Sequence, residues 1–332
     1  MKQLVVFKNK FDKELIRYLD KKEGDMRKLD EKGGEMVKSI KTFLEYGGKR
    51  FRPALFYFAY ESFVENKKIH DLQFSFIFEL FHTFALIHDD IIDHALLRRG
   101  NPTIHIKYGL QMGVLSGDFA LTLVDELYLN LISQSKLESS KIDEANELFN
   151  KYKQELLVGQ YLDCIHLDNR EKIMKLKTAD YSFVKPVLFA LLFTNESTTI
   201  KQKWRMFLTR LGIVFQLKDD YEGVFSDEKQ TGKSSLSDTQ EGKNTYIVEL
   251  FKKRANQEEL KQFNSFFGRQ EISQLIFLEY RKLLEKKHIK EDVILKIKAE
   301  CDELEMELRQ GMGKYTPFHM LLQEIINYIN TF

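Results

Sequence analysis

The chain has 332 residues, enough to bury a large core as one domain or two, and its 51 Lys and Arg nearly cancel its 50 Asp and Glu. That balance excludes the broad basic field of a nucleic-acid-binding protein, so function must lie in local arrangement. Two cysteines, Cys164 and Cys301, form no CxxC, which argues against a zinc site or disulfide framework and for a reducing cytoplasm.

The first segment, MKQLVVFKNKFDKEL, carries a short apolar run before charges return, too short for a secretory leader or a membrane span. No later stretch approaches twenty apolar residues free of charge, so a soluble chain is expected. Four Pro and 17 Gly are few, and apolar residues recur at three- and four-residue spacings, so the period is helical. Gly47, Gly48 and Pro53 punctuate EYGGKRFRPAL, where Lys49 and Arg52 stand three apart. Helices are expected over 72–95, 113–134, 144–165, 204–225 and 275–287, with a Gly100-Asn101-Pro102 turn between the first two. The longest polar interruption, 226–244, cannot bury itself and suits a mobile loop over a charged ligand. An all-α fold in a single domain, 1–332, follows.

Within the helix over 72–95, the stretch LIHDDIIDHALLRRGNPT sets Asp89, Asp90 and Asp93 among Phe84, Leu86, Ile87, Ile91 and Ile92. Ionised carboxylates cost several kcal/mol each to bury bare, so water or a cation must reach them. Spacings of three and four bring the three onto one patch a turn long. Oxygen donors with room left for water are the preference of Mg²⁺, which takes one or two carboxylates and completes its shell with substrate phosphates. The bland alternative is a solvated acidic face. A second pair, Asp219 and Asp220, ends the apolar run LGIVFQLKDD and weakens that alternative. Lys49, Arg52, Arg98, Arg99, Lys177, Lys233 and Lys243 stand near breakers; singly each reads as a surface cation. Together with acidic helices they match a metal-bound diphosphate, with guanidinium forks suited to bidentate phosphate contact.

The ordered segments GGKRFRP, HDDIIDHALLRRG, GQYLD, KTADYS, FQLKDDYEG and TGKSSLSDTQEGKNT resemble the trans-type isoprenyl diphosphate synthases, the farnesyl and geranylgeranyl diphosphate synthase group, over about residues 45–246. The resemblance implies a single large all-α bundle of the isoprenoid synthase type with a central cavity. It implies three Mg²⁺ on an allylic diphosphate, held by Asp89, Asp90 and Asp93 on one side and Asp219 and Asp220 on the other. Arg98, Lys177, Lys233 and Lys243 would contact that diphosphate. Lys49, Arg52, His82 and Arg99 would bind isopentenyl diphosphate without metal. Thr178 and Gln216 would steady the allylic cation, and Gln160 and Asp163 would support Lys177, a metal or its waters. The family's usual partner is a second copy of the chain. One departure stands out: Gly223 occupies the place where many members carry a third aspartate, with water, Glu222 or Asp227 as expected compensation.

In the same family the residues four and five before the first aspartate, here Ala85 and Phe84, form the floor that limits product length, and Phe81 lies a turn deeper. A bulky residue at minus five with a small one at minus four resembles the geranylgeranyl-forming members, so a twenty-carbon product is expected, with fifteen carbons as the alternative. A class I terpene cyclase would carry an Asn, Ser/Thr and Glu metal triad instead, of which Asn195, Thr198 and Gln202 are a poor echo. A helical interaction protein with solvated acidic faces is the remaining reading. His88 is expected to be structural rather than a metal ligand.

Overall fold

The computed structural model of the protein describes residues 2–65, 69, 71–165, 169–226, 237–269, 272–311 and 316–332; Lys233 and Asp227 lie outside them. In chain order the first helices are α1 (Lys2–Leu29), α2 (Gly34–Glu45), α3 (Phe51–Phe63), α4 (Asp71–Ile92), α5 (Ile104–Tyr108), α6 (Leu110–Gln134), α7 (Ser139–Cys164), α8 (Arg170–Met174), α9 (Lys185–Leu191) and α10 (Thr198–Phe225). A π-helix, Lys175–Val184, lies between α8 and α9. The chain divides into two compact units, one of Met1–Leu148, Pro186–Ser197 and Tyr315–Glu324, the other of Phe149–Lys185, Thr198–Lys314 and Ile325–Phe332.

In the first unit α1 buries one stripe, Leu4, Phe7, Phe11, Leu15 and Leu19, at the three- and four-residue spacing of an amphipathic helix. α4 is different: FSFIFELFHTFALI is apolar nearly all round, and Phe74, Phe76, Phe78 and Phe81 are all but fully buried. Its aromatic rings interlock with Phe56 (4.9 Å to Phe74, 5.2 Å to Phe78), Phe189 and Phe193 in stacked, tilted and edge-on pairs that contribute beyond their buried area. α6 is its main packing partner.

Between α4 and α5 the chain makes a minimal antiparallel hairpin, β1 (Leu97–Arg98) and β2 (Asn101–Pro102), with Leu97 opposite Pro102 and Arg98 opposite Asn101. These are the only strands among the described residues. The two loop residues, Arg99 (φ 53°) and Gly100 (φ 74°), both take positive φ, as a two-residue type I′ turn requires. Gly100 does so at no steric cost, whereas Arg99 stores strain of about 1–2 kcal/mol that its contacts must offset.

In the second unit the π-helix is seated between α7 and α10 by two glycines. A Cβ on Gly212 of α10 would lie 2.6 Å from the Ala179 Cα, and one on Gly159 of α7 would lie 2.9 Å from the Lys177 backbone nitrogen. Both approaches are backbone against backbone, so only glycine permits them. Beyond α10, helices Tyr246–Arg254, Gln257–Phe266, Gln274–Lys286 and Ile289–Gly311 follow. They gather Phe251, Phe263, Phe266 and Tyr280 into an aromatic core. The helices expected from periodicity are present, with bounds shifted by up to six residues; the π-helix leaves no trace in apolar spacing.

Candidate active site

In the first unit the helix α4 ends where its carboxylates begin. Asp90 is 1% exposed, and the Arg98 guanidinium meets its Oδ1 through Nη2 at 2.5 Å and Nε at 2.6 Å. Arg98 Nη2 also lies 3.8 Å from Asp89 Oδ2. The fork answers the buried charge of Asp90, which alone would be prohibitively costly. Asp89 and Asp93 are half-buried on the same turn of chain, and the Asp93 amide donates to the Asp89 carbonyl at 2.8 Å.

Arg99, the next residue, is sent elsewhere by the hairpin turn. Its Nη1 donates to the carbonyl of Gly47, and its guanidinium lies 5.9 Å from the centre of the Phe43 ring. Burial, together with Arg50, Arg98 and Arg52, pulls its pKa down to about 10 despite an opposing pull from Glu79. His82 feels the same field: burial first, then Arg52, Arg99, Arg98 and Arg50, hold its imidazole well below the usual histidine range, so it is neutral at pH 7. Lys49 is exposed and Arg52 half-buried at the start of α3. The first unit thus gathers His82 of α4 and arginines from two segments, the start of α3 and the hairpin, into one electropositive region, the kind of field a multiply charged anion would relieve.

Below the carboxylates on α4, Phe84 is 5% exposed, tilted at 5.5 Å against fully buried Phe81 and met edge-on at 4.9 Å by the ring of His88. His88 Nε2 lies 3.1 Å from the Val114 carbonyl of α6. A Cβ on Gly117 would fall 2.3 Å from the His88 ring, so α6 leaves a gap that this ring fills. Ala85 is half-buried beside Phe84.

In the second unit the π-helix presents Lys177 and Thr178. Lys177 Nζ donates to Asp163 Oδ2 of α7 at 2.5 Å. The Thr178 hydroxyl donates to Gln216 Oε1 at 2.5 Å, and Gln216 Nε2 donates in turn to Asp220 Oδ1 at 2.8 Å. This relay fixes the Gln216 amide, its oxygen toward Thr178 and its nitrogen toward the carboxylate. π-turns concentrate at functional sites, and here the wider turn coincides with the two residues the sequence singles out.

Asp220 is buried while Asp219 is exposed. Burial, then Asp238 and Asp219, push the Asp220 carboxyl up to about 7 against the hydrogen bond from Gln216. Asp238 was not singled out by sequence reasoning. It stands at the start of the short helix Ser237–Gln240, and its Oδ2 lies 2.7 Å from where a Cβ on Gly223 would be. Lys243 is close to Asp238 (3.5 Å) and pairs with Glu241. Glu222, the compensation expected for Gly223, instead lies near the Tyr328 hydroxyl and Lys218. Arg170 was also missed; it pairs with Glu249 at 2.9 Å and favours the ionised form of Asp220.

The donors in both units are oxygen only, which suits a hard cation such as Mg²⁺. Among the described residues no three His, Cys, Asp or Glu side chains converge on a preformed cage. Mg²⁺ characteristically needs none, since it is held by one or two carboxylates and completed by phosphate and water. A buried Asp220 whose ionisation is held back by neighbouring carboxylates is the observation that fits an incoming cation here.

An all-α scaffold carrying Asp-rich helix ends and clustered arginines defines a class I isoprenoid synthase architecture. The chain belongs to the polyprenyl synthetase family, whose model matches residues 34–278. It is a prenyltransferase of the short-chain type. It is 33% identical over 234 residues to the geranylgeranyl diphosphate synthase of Sulfolobus acidocaldarius, covering 68% of this chain and 67% of that protein. It is 31% identical over 220 residues to the farnesyl diphosphate synthase of Bacillus subtilis, covering 64% and 74%. In fold it is similar to the geranylgeranyl pyrophosphate synthase of Corynebacterium glutamicum complexed with isoprenyl diphosphate and magnesium, with a TM-score of 0.84, 22% identity and 98% of each chain covered. Among the described residues no helix is long and apolar enough to cross a membrane.

Proposed function

We propose that the chain condenses isopentenyl diphosphate with an allylic diphosphate to give geranylgeranyl diphosphate. The observation that carries this reading is the parting of Arg98 and Arg99 by the hairpin, the first to Asp90 and the second to the Gly-Gly turn beside Lys49 and Arg52. Two adjacent arginines thereby serve two anions. Asp89, Asp90, Asp93, Asp219 and Asp220 are the ligands of three Mg²⁺, with Asp238 as the third carboxylate that Gly223 lacks. When bound, Mg²⁺ neutralises charge growing on the departing diphosphate.

The chain's own groups do the rest. Arg98, Lys177, Lys233 and Lys243 grip the allylic diphosphate and stabilise it as the C–O bond breaks. Thr178 and Gln216 steady the allyl cation through their oxygen dipoles, with the Gln216 amide held in one orientation by its bonds to the Thr178 hydroxyl and to Asp220. Lys49, Arg52, His82 and Arg99 hold isopentenyl diphosphate so that its double bond attacks C1; the released pyrophosphate then takes the elimination proton, so no further base is required. Phe84, backed by Phe81 and by His88, stops chain growth, while Ala85 leaves the width that a longer product needs.

The family match runs through both compact units, which supports reading the chain as one catalytic domain. We read it as a cytoplasmic homodimer; the exposed Val114, Leu115 and Leu129 of α6 favour the second copy as partner. Product analysis after incubation with isopentenyl diphosphate, Mg²⁺ and each allylic primer in turn tests the function. Twenty-carbon diphosphate as main product is expected, fifteen carbons would overturn the length assignment, and a hydrocarbon would overturn the synthase reading.

A further inference from the structure

We propose that Arg50 is a positioning residue for isopentenyl diphosphate binding: it touches no substrate, and it fixes the Gly47 carbonyl to which Arg99 is bonded. The inference rests on the reading that Arg52, His82 and Arg99 hold that diphosphate. Arg50 is 4% exposed and adopts a left-handed conformation (φ 57°, ψ 33°) at the start of α3, a backbone state that a non-glycine residue keeps only where its surroundings impose it. Its guanidinium supplies that imposition. Nε donates to Asp12 Oδ1 at 2.7 Å, and Nη1 to Glu79 Oε1 at 2.5 Å and to the Gly47 carbonyl at 3.2 Å. Nη2 donates to the Leu44 carbonyl in the last turn of α2 at 2.9 Å.

One side chain therefore ties α1, α2, α4 and the Gly-Gly turn together. Gly47 (φ 93°) and Gly48 (φ 140°) have no side chains with which to pin the turn themselves, so its order must come from groups bonded to its carbonyl. That carbonyl accepts from Arg50 and Arg99 at once. Both guanidiniums also cover Gly48, where a Cβ would lie 2.8 Å from Arg50 Nη1 and 3.0 and 3.1 Å from the Arg99 Nη atoms. Two cations sharing one carbonyl repel each other, and Glu79, 3% exposed, offsets this as the carboxylate bonded to Arg50 that also favours the charge on Arg99. Removing Arg50 would leave Glu79 free to draw Arg99 off the turn and away from the substrate.

Arg50→Lys keeps the charge and loses the fork. It is expected to raise KM for isopentenyl diphosphate roughly ten-fold or more while KM for the allylic diphosphate stays within about two-fold, since a fork and not a charge is being removed. Calorimetric titration of the metal-free protein with inorganic pyrophosphate should show a parallel loss of affinity. An unchanged KM for isopentenyl diphosphate in folded Arg50→Lys, or an equal rise for both substrates, overturns the proposal. If that variant does not fold, Asp12→Asn takes its place; a rise of about three-fold confined to isopentenyl diphosphate is expected from the weakened charge-assisted bond, and none overturns it. Arg52→Gln separates the two levels of argument: if it leaves isopentenyl diphosphate binding intact, the site reading fails, and if it alone weakens binding, only the role of Arg50 fails.

Discussion

Asp238 stands against Gly223: its Oδ2 is 2.7 Å from the place where a Cβ on that glycine would be, so the carboxylate occupies space that a longer residue at position 223 would claim. A third carboxylate missing from α10 is thus matched by one from the helix that follows the polar segment. Asp238→Asn should raise the Mg²⁺ concentration for half-maximal activity several-fold, on the scale of about 1–2 kcal/mol for one charged oxygen donor. In an Asp238→Ala background, whose shortened side chain frees the space beside position 223, Gly223→Asp should recover most of the loss. Magnesium titrations of these variants check this, and an unaffected Asp238→Asn would remove Asp238 from the metal site.

The floor under the growing chain is tested by exchange of size. Ala85→Phe should shift the main product from twenty to fifteen carbons, and Phe84→Ala should lengthen it beyond twenty. Chromatography of the dephosphorylated products reads both, and unaltered lengths in the pair would show that Phe81 and Phe84 are ordinary core.

Asp220 predicts a pH dependence of the metal-free protein. Its folded value of about 7 lies above the ordinary 3.8, so the folded state binds the extra proton between those limits. The stabilisation is complete below pH 4 and is lost as pH rises through 7. Thermal melts should find Asp220→Asn gaining on the parent protein from pH 5 to pH 8, and Mg²⁺ with pyrophosphate should narrow that gap. A constant difference across the range would contradict the burial of this carboxyl beside Asp238 and Asp219.

Gly212 carries a stability prediction. Gly212→Ala sets a methyl 2.6 Å from the Ala179 Cα, a backbone contact that side-chain rotation cannot relieve. A loss of about 1–3 kcal/mol is expected from overpacking, together with reduced kcat because Gln216 moves off Thr178. Denaturant melts and steady-state kinetics on one preparation would separate the two effects; a stable, slow variant would mean that the relay and not the packing is sensitive.

Helices such as α4 were legible because Phe74, Phe78, Phe81 and Phe84 recur at helical spacing, and spacing is a local property. The placing of Asp89, Asp90 and Asp93 within one turn at the end of α4 was legible for the same reason. Asp238, Arg50 and Glu79 were not, since each acquires its role from contacts that spacing does not encode: Asp238 from the side chain that Gly223 lacks, Arg50 from carbonyls at Leu44 and Gly47. The π-helix was hidden too, because Gly159 and Gly212, which admit it, look like ordinary interruptions until their neighbours are seen.

The Arg99–Gly100 turn has a consequence for how this chain can change over time. The two-residue loop fixes the pairing of Arg98 with Asn101, so adding or deleting one residue within Leu97–Pro102 would break the register that sends Arg98 to Asp90 and Arg99 to Gly47. Surface segments elsewhere can drift in length, but the hairpin Leu97–Pro102 is expected to be a fixed ruler, and a one-residue insertion there should be as damaging as the loss of either arginine.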